Sequence, residues 1–164
     1  VHKQVAVHPV HTAREMHELA VTLFPNVNGA IMSAAVSDYR PTHQADQKMK
    51  REAGVDLTLT LTPNPDIAAS LGQKKQADQI LVGFALETEN EEANALGKLK
   101  RKQLDFIVLN SLKDEGAGFG GDTNRIRILD SEGNKESFDL KPKLEVAKDI
   151  VDKLCRLING NDHS

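Results

Sequence analysis

The sequence predicts an α/β fold built in layers, with a mostly parallel sheet and a C-terminal β-hairpin. Three observations predict it. The short apolar runs Ala30–Val36, Ile80–Ala85 and Asp105–Asn110 have the composition of strands buried on both faces of a parallel sheet. Stretches with a 3.6-residue apolar period fall between such runs, as strands and helices do in βαβ units. Near the end, Arg125–Leu129 and Lys135–Leu140 flank Asp130-Ser131-Glu132-Gly133-Asn134, a turn composition between two strands.

In chain order, Val5–Val10 reads as a short strand. His11 or Thr12 can cap a helix, Thr12 forming a capping box with Glu15, and Met16, Leu19, Ala20 and Leu23 carry that helix to about Phe24. Pro25–Gly29 is a loop, and Ala30–Val36 is the first buried strand. Pro41 has no N–H for a ladder and biases Arg40 away from helix, which ends that strand. Leu57–Thr62 alternates strictly, so leucines face inward and threonines outward, in an antiparallel, edge or subunit-contact position. Asn64 then suits an N-cap, Pro65 the first helical position and Asp66 the first turn of a helix to about Gln73.

After Ile80–Ala85, in which Gly83 permits close backbone approach, Thr88 with Glu91 makes a second capping box. That helix runs to about Lys102, with Ala93, Leu96 and Leu99 as its apolar contacts. Gly116–Asn124 is a glycine-rich loop and not a Walker loop, because no G-K-[ST] closes it. Pro142 opens the last helix, whose stripe is Ala147, Ile150, Val151, Leu154, Leu157 and Ile158, with Cys155 packed beside it. Residues 1–159 form one domain in this reading, and 160–164 a disordered tail.

Composition narrows the function. A chain of 164 residues suffices for one domain with a real core. A net charge of −3 disfavours a nucleic-acid partner held by bulk electrostatics. No apolar run reaches the roughly 18 residues needed to span a bilayer, and no signal peptide opens the chain. The single cysteine favours a reducing compartment, so a cytoplasmic protein without membrane or nucleic-acid partners is expected. His8 and His11 flank Pro9 at a strand end with no further ligand cluster, a poor metal site.

The chemistry gathers after the first buried strand. In open α/β sheets ligands bind beyond the carboxyl ends of strands, and Asp38 lies at such an end. Lys48-Met49-Lys50-Arg51 follows, three positive charges in four residues. A carboxylate near a basic loop fits a Mg²⁺-nucleotide site, and a solvated turn explains it equally. Asn64 and Asp66 are explained by capping alone. Phe84, at a carboxyl end, either packs on a base or belongs to the core. Lys98 and Lys102 share one helix face, where the helix dipole favours cations.

These residues also carry a family pattern. A-A-V-S-D-Y-R-P followed by K-M-K-R, then N-P-D-I, G-F-A-L-E-T, D-x-I-V-x-N and F-G-x-D-x-N, in that order, resemble the phosphopantothenoylcysteine synthetase domain of the bacterial bifunctional coenzyme A biosynthesis flavoprotein. The resemblance spans nearly the whole chain. It implies a Rossmann-like three-layer fold and a CTP-dependent ligase that joins 4′-phosphopantothenate to cysteine through an acyl-cytidylate. It implies that Lys48 neutralises charge at the α-phosphate and that Asp38 serves Mg²⁺ or the nucleotide. It implies a nucleotide pocket lined by Met32, Ser33, Ala34, Ala35, Asp66, Ile67, Ala68, Ala69 and Phe84, completed by Lys98 and Lys102. A homodimer is implied too.

One departure stands out. The family domain begins with a further strand and a glycine-containing loop, whose asparagine stabilises the acyl intermediate, and nothing before Val1 supplies it here. The flavin-binding decarboxylase half is not part of the sequence, so no FMN is expected. The alternative is a non-catalytic Rossmann-like nucleotide-binding module. A generic NAD-binding fold is disfavoured, because no G-x-G-x-x-G opens a βα turn.

Overall fold

The computed structural model describes residues 2–43, 45, 47–50, 54, 56–111 and 121–161. Helix α1 (Ala13–Leu23) begins where the capping box predicts, with Thr12 Oγ1 accepting from the Glu15 N–H at 3.1 Å. Phe24–Asn26 forms a single 3-10 turn before strand β1 (Gly29–Met32). Strands β2 (Tyr39–Pro41) and β3 (Leu61–Pro63) pair antiparallel as a separate ribbon. Helix α2 (Ile67–Lys74), strand β4 (Ile80–Glu87), helix α3 (Glu91–Arg101) and strand β5 (Phe106–Ser111) follow. The chain continues through β6 (Thr123–Asn124), β7 (Ile126–Asp130), β8 (Lys135–Ser137) and β9 (Lys141–Pro142) to helix α4 (Lys143–Asn161).

The main sheet has the order β1-β4-β5-β7-β8. β1, β4 and β5 run parallel, and β7 and β8 add the antiparallel hairpin. Three layers result. On one face Leu81, Ala85, Ile107, Leu109 and Leu129 pack against Ile67 and Leu71 of α2 and Ala95 and Leu99 of α3. On the other, Ile80, Val82, Phe106, Val108, Ile126 and Ile128 pack against Val146 and Ile150 of α4. The period-two alternation in β4 and β5 thus feeds two cores at once, which is why these strands read as continuous apolar runs. Close helix packing needs one glycine. A Cβ on Gly72 of α2 would lie 2.0 Å from the Lys102 carbonyl oxygen at the end of α3, so only hydrogen fits there.

Several expectations are corrected. β1 ends at Met32 and Ser33–Ser37 is irregular. β1 is also an edge strand, half-buried, with no partner on its far side among the described residues. Val5–Val10 forms no strand and is exposed. In Leu57–Thr62 only the end is strand, and Leu57, Leu59 and Leu61 are exposed by 67%, 56% and 52%. The alternation is real, but among the described residues no helix layer covers this ribbon, and its apolar face enters no core.

The N-cap of α2 is Asp66, not Asn64, and Pro65 precedes the helix. α3 is capped by Asn90 in the left-handed conformation, which asparagine tolerates, in place of the Thr88 capping box. Its buried face carries Ala95 and Leu99, whereas Ala93 and Leu96 are exposed. On α4 the buried stripe is set by Val146 and Ile150, with Ala147 and Val151 outside it. Pro142 ends β9 just before α4. Cys155 is exposed, not packed. α4 includes Gly160 and Asn161, the first residues of the expected tail. Arg51, residues 162–164 and Gly116–Gly120 of the glycine-rich stretch lie outside the described residues.

Candidate active site

The carboxyl ends of β1 and β4 open side by side, because β1 pairs with β4 in the register Met32↔Gly83. The chain leaves β1 through Ser33–Ser37 without a ladder. From the other side the β3–α2 turn brings the N-terminus of α2 to the same opening. Between them lies a cavity of about 170 Å³. Met32, Ala34, Asp38, Asp66, Ile67, Ala68, Phe84, Lys98 and Lys102 line it, all residues the sequence had nominated from scattered positions. Its apolar wall is finished by Leu104 and Ile107.

Ser33 and Ala35 face a neighbouring cavity of about 380 Å³, which shares Met32, Ala34 and Phe84 with the first. Asn110, Asn124 and Lys143 supply its polar groups. Asn124 Nδ2 donates to Asn110 Oδ1 at 3.2 Å, and Asn124 Oδ1 accepts the Arg125 N–H at 3.0 Å. Ala69 enters the site indirectly, by donating its N–H to Asp66 Oδ1 at 3.1 Å. Phe84 is half-buried against the α4-side core and borders both cavities, so packing and ligand contact are compatible roles. Lys48 is the exception: it is exposed on the segment between β2 and β3 and lines neither cavity.

Both nominated helix lysines are already paired. Lys98 Nζ donates to Glu87 Oε1 at 2.6 Å, and Lys102 Nζ lies 3.0 Å from Asp66 Oδ2. Glu87 is held from its other oxygen by Asn94 Nδ2 at 3.2 Å. Partly exposed pairs of this kind contribute about 0–1 kcal/mol, too little to exclude a multiply charged phosphate from the same ammonium groups. Burial alone would raise the Asp66 carboxyl, but the Ala69 N–H and the Lys102 ammonium outweigh it, and the group titrates below the ordinary aspartate range. It is therefore anionic at neutral pH.

The residues that sequence reasoning missed are those whose partners are distant in the chain. Arg40 donates to Pro63 O at 2.6 Å and to Asn64 Oδ1 at 3.1 Å. Asn110, Asn124 and Lys143 meet only through the sheet topology. The motifs D-x-I-V-x-N and F-G-x-D-x-N carried the signal for the two asparagines, but not for their contact.

No group of three or more His, Cys, Asp or Glu side chains is placed to hold a metal among the described residues. Two exposed carboxylates stand at the first cavity, Asp66 paired with Lys102, and Asp38. That suits Mg²⁺ arriving on nucleotide phosphates, which takes one or two protein carboxylates, and it does not suit a resident protein cage.

An α/β domain with paired cavities at the carboxyl ends of its parallel strands is the class that fold and site define. Residues 1–157 match the family model described as the DNA/pantothenate metabolism flavoprotein C-terminal domain, and the chain belongs to that family. It is 50% identical over 157 residues to a cysteine/cysteine sulfinic acid decarboxylase from an unknown prokaryotic organism, covering 96% of this chain and 44% of that protein. It is 41% identical over 149 residues to the coenzyme A biosynthesis bifunctional protein CoaBC of Bacillus subtilis (strain 168), covering 91% of this chain and 36% of that protein. The chain thus spans less than half the length of either relative. Among solved structures it resembles the C-terminal domain of CoaBC, with a TM-score of 0.73 at 28% identity, over 94% of this chain and 71% of that one.

Proposed function

We infer that this domain is the ligase part of a coenzyme A biosynthesis protein, joining 4′-phosphopantothenate to cysteine at the expense of CTP. The observation that carries the reading is the first cavity. It gathers the Asp38 carboxylate, the α2 N-terminus and two lysines at one opening, the equipment for a nucleotide with its phosphates. The acid substrate would occupy the adjoining cavity, where Asn110 and Asn124 meet hydroxyl and amide groups and Lys143 meets an anion.

The chemistry is an activation followed by an acyl transfer. A carboxylate oxygen of phosphopantothenate attacks the α-phosphorus of CTP, the bond to the bridging oxygen breaks, and pyrophosphate leaves with its electron pair. The cysteine amine then attacks the acyl carbon, CMP departs, and the nitrogen loses a proton. Lys98 and Lys102 bind and orient the phosphates, and Lys48 closes on the α-phosphate as charge develops. Bound Mg²⁺, held by Asp38 and the nucleotide, would supply charge neutralisation at the phosphates. Ala34 and the Asp66–Ala69 turn present main-chain groups to the base, with Phe84 alongside.

The decarboxylase name attached to one relative belongs to a protein more than twice this chain's length. The reaction is placed in the cytoplasm, in keeping with its substrates. The homodimer that the resemblance implies would cover the exposed stripe Leu57, Leu59 and Leu61, and sedimentation velocity tests whether the dimer forms. Main-chain groups at Ala34 and the Asp66–Ala69 turn should read pyrimidine edges. CTP should therefore raise the melting temperature more than ATP at equal concentration, since a ligand bound only by the native state stabilises it. Equal shifts, or a larger one with ATP, would count against the CTP assignment.

A further inference from the structure

Asn64 stands between the two loops that frame the first cavity. Its backbone N–H donates to Asp38 O at 2.8 Å, and its side-chain Nδ2 donates to Ser37 O at 2.8 Å. Its Oδ1 accepts from Arg40 Nη1, which also donates to Pro63 O. With Oδ1 claimed by a guanidinium, which can only donate, the amide has one orientation, and its donor faces Ser37. Two residues on, Asp66 caps α2 and pairs with Lys102. One residue therefore ties the exit of β1 to the entry of α2. Asn64 makes none of the bonds of an N-cap, although its place in N-P-D-I suggests one. The stretch it holds, ending in Ser37 and Asp38, has no strand partner of its own.

We propose that Asn64 is a positioning residue, oriented by Arg40, that fixes the Asp38 loop and the α2 N-terminus at one separation so that the nucleotide meets both already in place. The proposal rests on the functional reading above. A pre-set separation spares the ordering of two loops on binding, so its loss appears in nucleotide affinity rather than in cysteine use. Asn64→Asp keeps the shape and an acceptor for Arg40 but removes the donor to Ser37. Arg40→Met instead frees the amide to turn, and it provides a second arm should the first variant fold poorly.

The test is calorimetric titration of the full-length protein with CTP and Mg²⁺, joined to a double-mutant cycle with Asp38→Asn. Either variant should lose about tenfold in CTP affinity, on the scale of one hydrogen bond, with the KM for cysteine unchanged. The cycle should be non-additive, Asn64→Asp costing little once Asp38 is neutralised, because the two act as one unit. Hydrogen exchange should rise together at the Asn64 N–H, which donates to the Asp38 loop, and at the Ala69 and Ser70 N–H groups, which donate to Asp66 at the start of α2. Unchanged CTP affinity, additive effects, or faster exchange in only one of the two loops would overturn the proposal while leaving the ligase reading intact. A wild-type protein that binds no CTP overturns the ligase reading and this proposal together.

Discussion

Lys48→Ala should slow acyl-cytidylate formation by roughly 10²-fold or more while CTP still binds with nearly wild-type affinity. The split follows from where the residue lies. Lys48 is exposed and outside both cavities, whereas Lys98 and Lys102 stand at the first cavity, where the proposed reading has them bind the phosphates. A lysine that meets the α-phosphate only as charge develops contributes to the transition state and little to the bound ground state. Pre-steady-state measurement of pyrophosphate release, beside a CTP titration, separates the two. Near-normal release would remove Lys48 from the mechanism. Weaker binding with an unchanged rate would recast it as one more phosphate-binding lysine.

Lys153→Met should destabilise the domain by about 3 kcal/mol, the usual scale for breaking a buried ion pair by removing one partner. Lys153 Nζ donates to Asp130 Oδ2 at 2.9 Å and to Glu136 Oε1 at 2.8 Å, with only 11% and 8% of the Lys153 and Asp130 side chains exposed. The pair locks α4 onto the β7–β8 hairpin, whose turn Asp130 also organises through the Asn134 N–H at 2.8 Å. In a domain of this size the loss corresponds to a fall of roughly 6–12 °C in melting temperature. A change under about 2 °C would show that packing alone holds the hairpin.

The pH dependence has a definite sign. Burial would raise Asp130, but the Lys153 ammonium and the Asn134 donors outweigh it and hold the carboxyl below its ordinary value of 3.8. Its contribution is thus complete above that value and is lost as pH falls through the lower folded one. The gap between wild type and variant should be constant near neutrality and narrow in acid below about pH 4. Burial would lower Lys153, and the Glu136 and Asp130 carboxylates outweigh it and raise it. Its own contribution is lost only as pH rises through that raised value.

What the sequence disclosed follows from how locally each signal is encoded. α1 and its Thr12 cap, α2, β4, β5 and the C-terminal hairpin each follow from the apolar pattern or turn chemistry of one short segment. Part of the first cavity was legible too: Asp38 and Phe84 stand at strand ends, where an open α/β sheet binds ligands, while Met32, Ala34, Ile67 and Ala68 were nominated by the family resemblance alone. The failures share a cause. Leu57–Thr62 alternates as a half-buried strand does, but which face is covered depends on another layer, and none covers it among the described residues. Ala30–Val36 has a central strand's composition, yet its length and edge position depend on which strands pair. Asn64 looked like a helix cap because capping is local, whereas its bonds to Ser37 and Asp38 join residues 27 and 26 positions away. The placement of Lys48 is a matter of a long connection between β2 and β3, about which periodicity says nothing.

The central claim is ligation, and the full-length protein can be asked directly. Incubated with 4′-phosphopantothenate, CTP, Mg²⁺ and cysteine, it should form phosphopantothenoylcysteine with one CMP and one pyrophosphate released per amide, and omitting cysteine should stop CMP release but not the first pyrophosphate. CTP left unconsumed, with CO₂ released from cysteine in its absence, would contradict the account.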